Sequence, residues 1–126
     1  MNAFDPRTEL DEIIDAADPA MSFIEGLSRE QFLLDAMAQA AVSMKLVVIG
    51  EAVTRLARNR PDFVQAVPEL PWRSVTGMRN RIAHGYYSVD MNVVWEAVSN
   101  DVPALRATAA RVLASLGDAP SVGFES

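Results

Sequence analysis

Apolar residues recur every three or four positions along almost the whole chain, and this spacing restricts the fold more than any other feature. The widest apolar stripe spans roughly thirty residues and contains Phe32, Leu33, Met37, Ala40, Met44, Val47, Val48, Ala52 and Leu56. No segment alternates apolar and polar residues for long enough to predict a strand. The pattern therefore predicts an all-α fold, a four- to five-helix up-and-down bundle.

Residues that begin and end helices divide the first half of the chain into two segments. Asp5-Pro6 predicts the start of the first helix, because aspartate caps free amides and proline suits the first helical position. Asp18-Pro19 predicts a kink or a restart, after which the helix continues to Gly26. Ser28–Gln31 has the spacing of a capping box and predicts the start of one long helix, which ends before Pro61.

The second half of the chain predicts a connector and two more helices. Three prolines make residues 61–71 a connector with at most a short turn. A shorter helix over residues 72–84 follows, with an inner face made of Val75, Met78 and Ile82. Asp90 predicts the cap of a last long helix, which Pro103 bends and Gly117 ends.

The chain of 126 residues is long enough for one hydrophobic core. We expect residues 1–117 to form a single domain and residues 118–126 to form a flexible tail. The side chains expected in the core include Met37, Met44, Met78, Trp72 and Trp95. Gly50 lies in the interior of the long helix, where glycine lowers helix stability by about 1 kcal/mol relative to alanine. Its presence there predicts close packing against another helix, which we expect at the interface of a dimer.

The sequence lacks the features of a membrane or secreted protein. The first twelve residues are acidic and do not have the pattern of a secretory signal. Lys45 interrupts the longest apolar stretch well short of the roughly 18 residues that a membrane span needs. With no cysteine, the chain has neither disulfides nor thiolate ligands. We therefore expect a cytoplasmic protein without membrane contact.

Charge is distributed unevenly along the chain. The net charge is −6, whereas residues 49–89 carry six arginines against three acids and are positive. The overall balance argues against a nucleic-acid-binding protein, since phosphate binding is typical of basic domains. The positive middle third still allows a small, local site for a polyanion.

The stretch Met78–Tyr87 contains the residue types that phosphodiester chemistry needs. His84 is the only histidine in the chain, and histidine can give and take protons near neutral pH. Arg79 offers a planar, permanently charged fork that suits phosphate. On a helix, Asn80 and His84 lie four positions apart and share a face, which the long side chain of Arg79 can reach.

The same residues also allow a purely structural interpretation. A lone histidine near a helix end often interacts only with the helix dipole. An arginine beside it often only pairs with a carboxylate. The spacing from Arg79 to His84 does not decide between the two interpretations.

The sequence resembles the HepT-type toxins of the HEPN superfamily, from about Arg7 to Leu116. These are small helical ribonucleases whose antitoxin is a minimal nucleotidyltransferase. The segments that carry the resemblance, in order, are Ile49-Gly50-Glu51-Ala52, Pro71-Trp72, Arg79-Asn80, His84-Gly85-Tyr86, Asp90 and Val94-Trp95. Their order and spacing together are more specific than any one of them.

The resemblance implies an endoribonuclease toxin of a type VII-like toxin–antitoxin pair. Arg79 and His84 would be the catalytic pair, and Asn80 would position them. Such enzymes cut RNA without a metal or other cofactor, by attack of the ribose 2′-hydroxyl. The family is built as a homodimer, which would supply a second histidine across a shared cleft. The expected partners are therefore a second copy of the chain, RNA and the nucleotidyltransferase.

Secondary roles follow for four other residues. By the resemblance, Tyr86 is the tyrosine to which the antitoxin attaches AMP, although a structural tyrosine that buries its ring beneath the motif turn would look the same in sequence. Arg81 and Arg73 are weaker candidates for RNA contacts. Glu51 either neutralises Arg79 or Arg55, or forms an ordinary structural pair.

Two other functions stay open at this point. The chain could be a non-catalytic HEPN module that binds nucleotides or scaffolds its nucleotidyltransferase partner. It could also be a bundle that only dimerises. A metal enzyme is disfavoured, because the acids of residues 5–18 are spaced like a charged helix surface and no second histidine is present.

Overall fold

The fold was determined from a computed structural model, which describes residues 4–124 of the backbone and the side chains of residues 4–116. The helices in chain order are α1 (Pro6–Phe23), α2 (Arg29–Leu33), α3 (Ala36–Asn59), α4 (Pro61–Ala66), α5 (Trp72–Gly85), α6 (Met91–Glu96) and α7 (Val102–Phe124). A 3₁₀ turn at Tyr86–Ser88 follows α5, and a π-helical turn at Ala97–Asp101 joins α6 to α7. The all-α prediction is confirmed, since the described residues contain no strand.

The four longer helices form the bundle. Helix α3 packs along α1 on one side and along α5 on the other, and α1 also packs against α7. The largest fully buried side chains come from α1, α2, α3 and α7; they are Phe32, Leu10, Ile13, Ile49, Leu56 and Leu105. By length and composition α3 could cross a membrane, but its position between two partner helices is that of a core helix.

The first helix begins as the sequence predicts but does not restart at its internal proline. The Asp5 side chain accepts a hydrogen bond from the Arg7 amide, and Pro6 occupies the first turn. Pro19 lies inside one continuous helix, and Ala17 and Ala20 on either side of it are both buried in the core. Gly26, just beyond the helix, has φ of 82°, as its predicted left-handed conformation requires.

The long helix predicted from residue 32 is in fact two helices. The predicted capping box is present, since Ser28 and Gln31 each bond the other's backbone amide, but it begins only the short α2. Asp35 then caps α3 by accepting from the Ala38 amide. This second start was missed, because the aspartate lies within the apolar stripe.

The predicted apolar face of α3 is confirmed at its C-terminal end, where Ala52 and Leu56 are buried, and is wrong at two methionines. Met37 and Met44 were expected in the core but are 84% and 61% exposed. The face that is buried instead includes Val42, Leu46, Ile49 and Val53. The predicted core position of Met78 is confirmed, and Trp72 and Trp95 pack partly buried against the core.

The connector and the last helix also differ in detail from the predictions. Residues 61–71 contain a short helix, α4, rather than only a turn. The predicted last helix is interrupted by the π-helical turn just before Pro103, whose missing N–H leaves the carbonyl of Ser99, four residues earlier, without its usual helical partner. Helix α7 does not end at Gly117 but continues to Phe124. The predicted flexibility of 118–126 is untested; residues 125 and 126 lie outside the described residues.

Candidate active site

Helix α5 presents the motif residues along one side of the bundle. Its inner face buries Val75, Met78 and Ile82, as predicted. The outward positions include Asn80 and His84, both exposed. Because the helix is anchored by three buried side chains at spacings of three and four, the outward residues are held at fixed heights along it.

Arg79 lies where α5 passes closest to α3, at Gly50. A Cβ atom added to Gly50 would lie 2.3 Å from Cβ of Arg79 and 3.3 Å from the carbonyl oxygen of Val75. No side chain can occupy that space, so glycine is required for the approach. The close packing predicted for Gly50 is confirmed, but its partner is α5 of the same chain rather than a dimer seam.

The guanidinium of Arg79 is oriented by two oxygen atoms. Its Nη2 donates to Oε2 of Glu51 at 3.2 Å, and its Nη1 donates to Oδ1 of Asn80 at 3.0 Å. The side chain of Arg79 is 31% exposed, whereas its Nε is buried and has no hydrogen-bond partner. Exposed pairs of this kind contribute only about 0–1 kcal/mol to stability, so the main effect of Glu51 is on the position of Arg79.

The partners of Arg55 show which of the two arginines Glu51 bonds. Glu51 bonds Arg79, whereas Arg55 donates to Glu9 and Glu12 of α1. The hydrogen bond to Glu9 raises the pKa of the Arg55 guanidinium. Arg55 therefore connects α3 to α1, and Glu51 bonds Arg79.

The backbone of α5 fixes the orientation of the His84 ring. Nδ1 of His84 lies 2.8 Å from the carbonyl oxygen of Asn80, one turn earlier in the helix. A carbonyl oxygen can only accept, so Nδ1 must carry the proton in this hydrogen bond. In neutral His84 the lone pair is then on Nε2, and the exposed ring can use it to accept a proton from a substrate.

Two grooves open on either side of the motif. The His84 groove has a volume of about 550 Å³ and is lined by Arg81, His84, Gly85, Ser88, Val89, Asp90 and Val93. The Arg79 groove has a volume of about 500 Å³ and is lined by Glu51, Thr54, Arg55, Ala57, Arg58, Thr76, Arg79 and Asn80. Asn80 links them, since its side chain bonds Arg79 and its carbonyl bonds His84.

The secondary candidates are distributed around these grooves. Arg81 lines the His84 groove, whereas Arg73 is exposed but lines neither groove. Tyr86 is half-buried and lines a separate apolar groove between α3 and α5. Its neighbour Tyr87 is 99% exposed and packs edge-on against it, with ring centroids 5.5 Å apart.

Sequence reasoning overlooked residues that the fold brings to the grooves. Ser88 and Asp90 both line the His84 groove, although the sequence indicated Asp90 only as a helix cap and as part of the family resemblance. Arg58 lines the Arg79 groove from α3. The sequence could have indicated this position of Arg58, because Gly50, Thr54 and Arg58 lie at successive spacings of four on one helix face. Within the described residues, no cluster of three or more His, Asp or Glu side chains is arranged to hold a metal ion.

The chain matches the model of one known protein family. The profile described as ribonuclease HepT-like matches residues 13–112, which include all of α3 and α5. The chain belongs to the HepT-like ribonuclease family. The resemblance that the motif segments indicated is therefore confirmed.

Individual members of the family resemble most of the chain. A protein of Thermococcus cleftensis named as a probable ribonuclease HepT is 38% identical over 98 residues, which cover 77% of this chain and 86% of that protein. A protein of Caldanaerobacter subterraneus subsp. tengcongensis named as an RNase is 29% identical over 108 residues, 86% of this chain and 94% of its own length. Another named RNase, from Methanocaldococcus jannaschii, is 32% identical over 99 residues, 79% of each chain. The comparison with solved structures gives no match.

Proposed function

We propose that this protein is an endoribonuclease that cleaves RNA without a metal ion and acts as a homodimer in the cytoplasm. The observation that carries the proposal is the orientation of the exposed His84 ring. Nδ1 bonds the Asn80 carbonyl, and the lone pair on Nε2 is therefore available to accept a proton. A base of this kind suits a 2′-hydroxyl, an arginine held by Glu51 suits a phosphodiester, and Asn80 connects the two grooves that these residues line. The ribonuclease names of the relatives support the same substrate.

The proposed reaction uses the RNA's own 2′-hydroxyl as the nucleophile. Nε2 of His84 accepts the hydroxyl proton, and the 2′-oxygen attacks the adjacent phosphorus. The bond from phosphorus to the 5′-oxygen of the next nucleotide breaks, and that oxygen takes up a proton. The products are a 2′,3′-cyclic phosphate and a free 5′-hydroxyl. Arg79 stabilises the negative charge that develops on the phosphoryl oxygens.

A homodimer would supply the acid that a single chain lacks. Each chain has one histidine, and the reaction benefits from one group that accepts a proton and one that donates it. An apolar groove lies beside the motif helix, lined by Ala40, Ser43, Met44, Val47, Ile82 and Tyr86. Met37 continues the same exposed face of α3. An exposed apolar face of this type is typical of a contact with another protein.

Incubation of the purified protein with RNA in EDTA tests the proposed reaction. Because no metal takes part in the proposed steps, we expect cleavage at the same rate with and without EDTA. The fragments are expected to end in 2′,3′-cyclic phosphate, which mass spectrometry distinguishes from a 3′-hydroxyl end. Dependence on added Mg²⁺ would contradict the metal-free mechanism. The absence of any fragments would favour the non-catalytic scaffold or the bundle that only dimerises.

The variant Met44→Asp provides the control for the dimer in the same experiment. Met44 is 61% exposed, so aspartate at this position leaves the core intact while placing a charge in the apolar groove. We expect light scattering to show a monomer, and cleavage to fall with the loss of the dimer. Leu34→Asp changes an exposed apolar residue outside the groove and should leave both properties unchanged. Full cleavage by a monomeric Met44→Asp variant would reject the shared active site.

We also propose that a nucleotidyltransferase antitoxin silences the enzyme and attaches AMP to Tyr86. Tyr86 lies two residues after His84 in the turn that follows α5. AMP at this position would add bulk and negative charge between the motif and the apolar groove, and would therefore repel an RNA backbone. Intact-mass measurement after incubation with the antitoxin and ATP should show added AMP on the wild type and on Tyr87→Phe. Modification of Tyr86→Phe to the same extent would contradict the assignment.

A further inference from the structure

The Arg79 groove contains one arginine whose charge is not used by the fold. Arg55 donates to Glu9 and Glu12, and Arg79 donates to Glu51 and Asn80. Among the described residues, no carboxylate lies within ion-pair distance of the exposed Arg58. Arg58 is therefore the lining cation that can bind an anion without first giving up a partner.

The two threonine hydroxyls of the groove are already used within their own helices, so the arginines and the amide of Asn80 are the groups that can donate to an anion. The hydroxyls of Thr54 and Thr76 donate to the backbone carbonyls of Gly50 and Trp72, one turn earlier in each helix. They have no further proton to offer to a phosphate oxygen. The carboxylates of Glu9, Glu12 and Glu51 already pair with Arg55 and Arg79, so the positive charge available to an anion in the groove is that of Arg58.

The spacing along α3 separates Arg58 from the motif arginine. Gly50 marks the point where α3 meets Arg79, and Arg58 follows it by eight residues on the same helix face. At 1.5 Å per residue, the Arg58 Cα lies about 12 Å farther along α3. Arg58 and Arg79 therefore line one groove from different helices and at different heights along α3, which suits a chain of phosphates better than one isolated anion.

We propose that Arg58 binds a backbone phosphate of the RNA strand next to the phosphate that is cleaved. This inference rests on the proposed ribonuclease function, because it takes Arg79 as the residue at the scissile phosphate. Arg58 is a binding residue that holds the strand along the groove, and it takes no part in the proton transfers at His84. Since the contact is to the backbone, it carries no sequence preference of its own.

Binding of a single-stranded DNA oligonucleotide to the full-length protein tests this site separately from cleavage. The oligonucleotide has no 2′-hydroxyl and cannot react by the proposed route, so fluorescence anisotropy reports binding alone. We expect Arg58→Ala to weaken binding about tenfold, because hydrogen bonds to charged groups are among the stronger ones. The slope of log affinity against log salt should also fall by about 0.7, the value of one phosphate contact to a single strand.

The matched variants are Arg58→Lys and Arg111→Ala. Arg58→Lys keeps the charge and should keep the wild-type salt slope. Arg111 is an exposed arginine on α7 that pairs with Glu69 outside both grooves, so Arg111→Ala should bind as the wild type does. With RNA as substrate, Arg58→Ala should raise KM and leave kcat unchanged.

Three results would overturn the site. The first is that Arg58→Ala keeps the wild-type affinity and the wild-type salt slope. The second is that Arg111→Ala loses as much affinity as Arg58→Ala. The third is that an acidic peptide displaces the oligonucleotide more strongly than an unlabelled strand does. The last result would identify the groove as a protein-binding site. A failure of the proposed function would be distinguishable, because the wild type would then leave RNA uncut whatever its affinity for the oligonucleotide.

Discussion

Replacement of His84 by alanine is expected to lower RNA cleavage by at least about 100-fold, because general acid–base catalysis contributes about 10²- to 10⁴-fold. Arg79→Ala should cause a loss of at least about 100-fold, since it removes the donors that face the developing charge. The assay is the initial rate on RNA at saturating concentration, measured together with cellular toxicity. Far-ultraviolet circular dichroism should show unchanged helical content in both variants.

Asn80→Ala is the informative comparison for these two variants. The His84 ring is held by the backbone carbonyl of Asn80, which alanine also possesses. Only the bond from Arg79 to the Asn80 side chain is lost, so we expect a fall of about tenfold or less, the size of one ordinary hydrogen bond. Full activity of His84→Ala or of Arg79→Ala would reject the assigned roles. A loss in Asn80→Ala equal to that in His84→Ala would show that the amide side chain itself takes part.

Gly50→Ala is expected to lower the free energy of unfolding by about 2 kcal/mol or more, because the added methyl overpacks a close helix crossing. The new Cβ would lie 2.3 Å from Cβ of Arg79, and both atoms are fixed to helix backbones that must move apart. Urea denaturation at fixed protein concentration measures the change. Because Arg79 moves with α5, cleavage by the folded fraction should fall as well.

Gly77→Ala is the matched control on the same pair of helices. A Cβ at Gly77 meets nothing within 4 Å, so the better helix propensity of alanine should raise the free energy of unfolding by about 0.5–1 kcal/mol. Opposite signs for the two glycine variants are therefore expected. A neutral Gly50→Ala would mean that α3 and α5 are not in the close contact described here.

Local patterns in the sequence were sufficient for much of α5 and for the motif that it carries. Its inner residues Val75, Met78 and Ile82 repeat at helical spacing, and they are the residues that are buried. The same spacing places Asn80 and His84 outward on one face. The roles assigned to Arg79, His84 and Asn80 remain predictions, since the fold shows their positions and not their activity.

The exposed face of α3 shows where local patterns were insufficient. Its sequence is apolar on more than one side, so periodicity alone allowed both the Met37–Met44 face and the Val42–Val53 face to be the core. Packing between α1 and α5 selected the second. The Met37–Met44 face stays exposed, and the proposed dimer is based on that exposure.

The sequence by itself determined what depends on neighbours within one or two helical turns: the helical class, the capping box at Ser28, and the turn-by-turn placement of Asn80 and His84. Only the tertiary structure decided that Glu51 bonds Arg79 rather than Arg55, and that α5 packs closely against α3 at Gly50. Helix propensity and capping act between residues close in the chain. Ion pairs and close crossings join residues from different helices, so they are settled only when all the helices pack together.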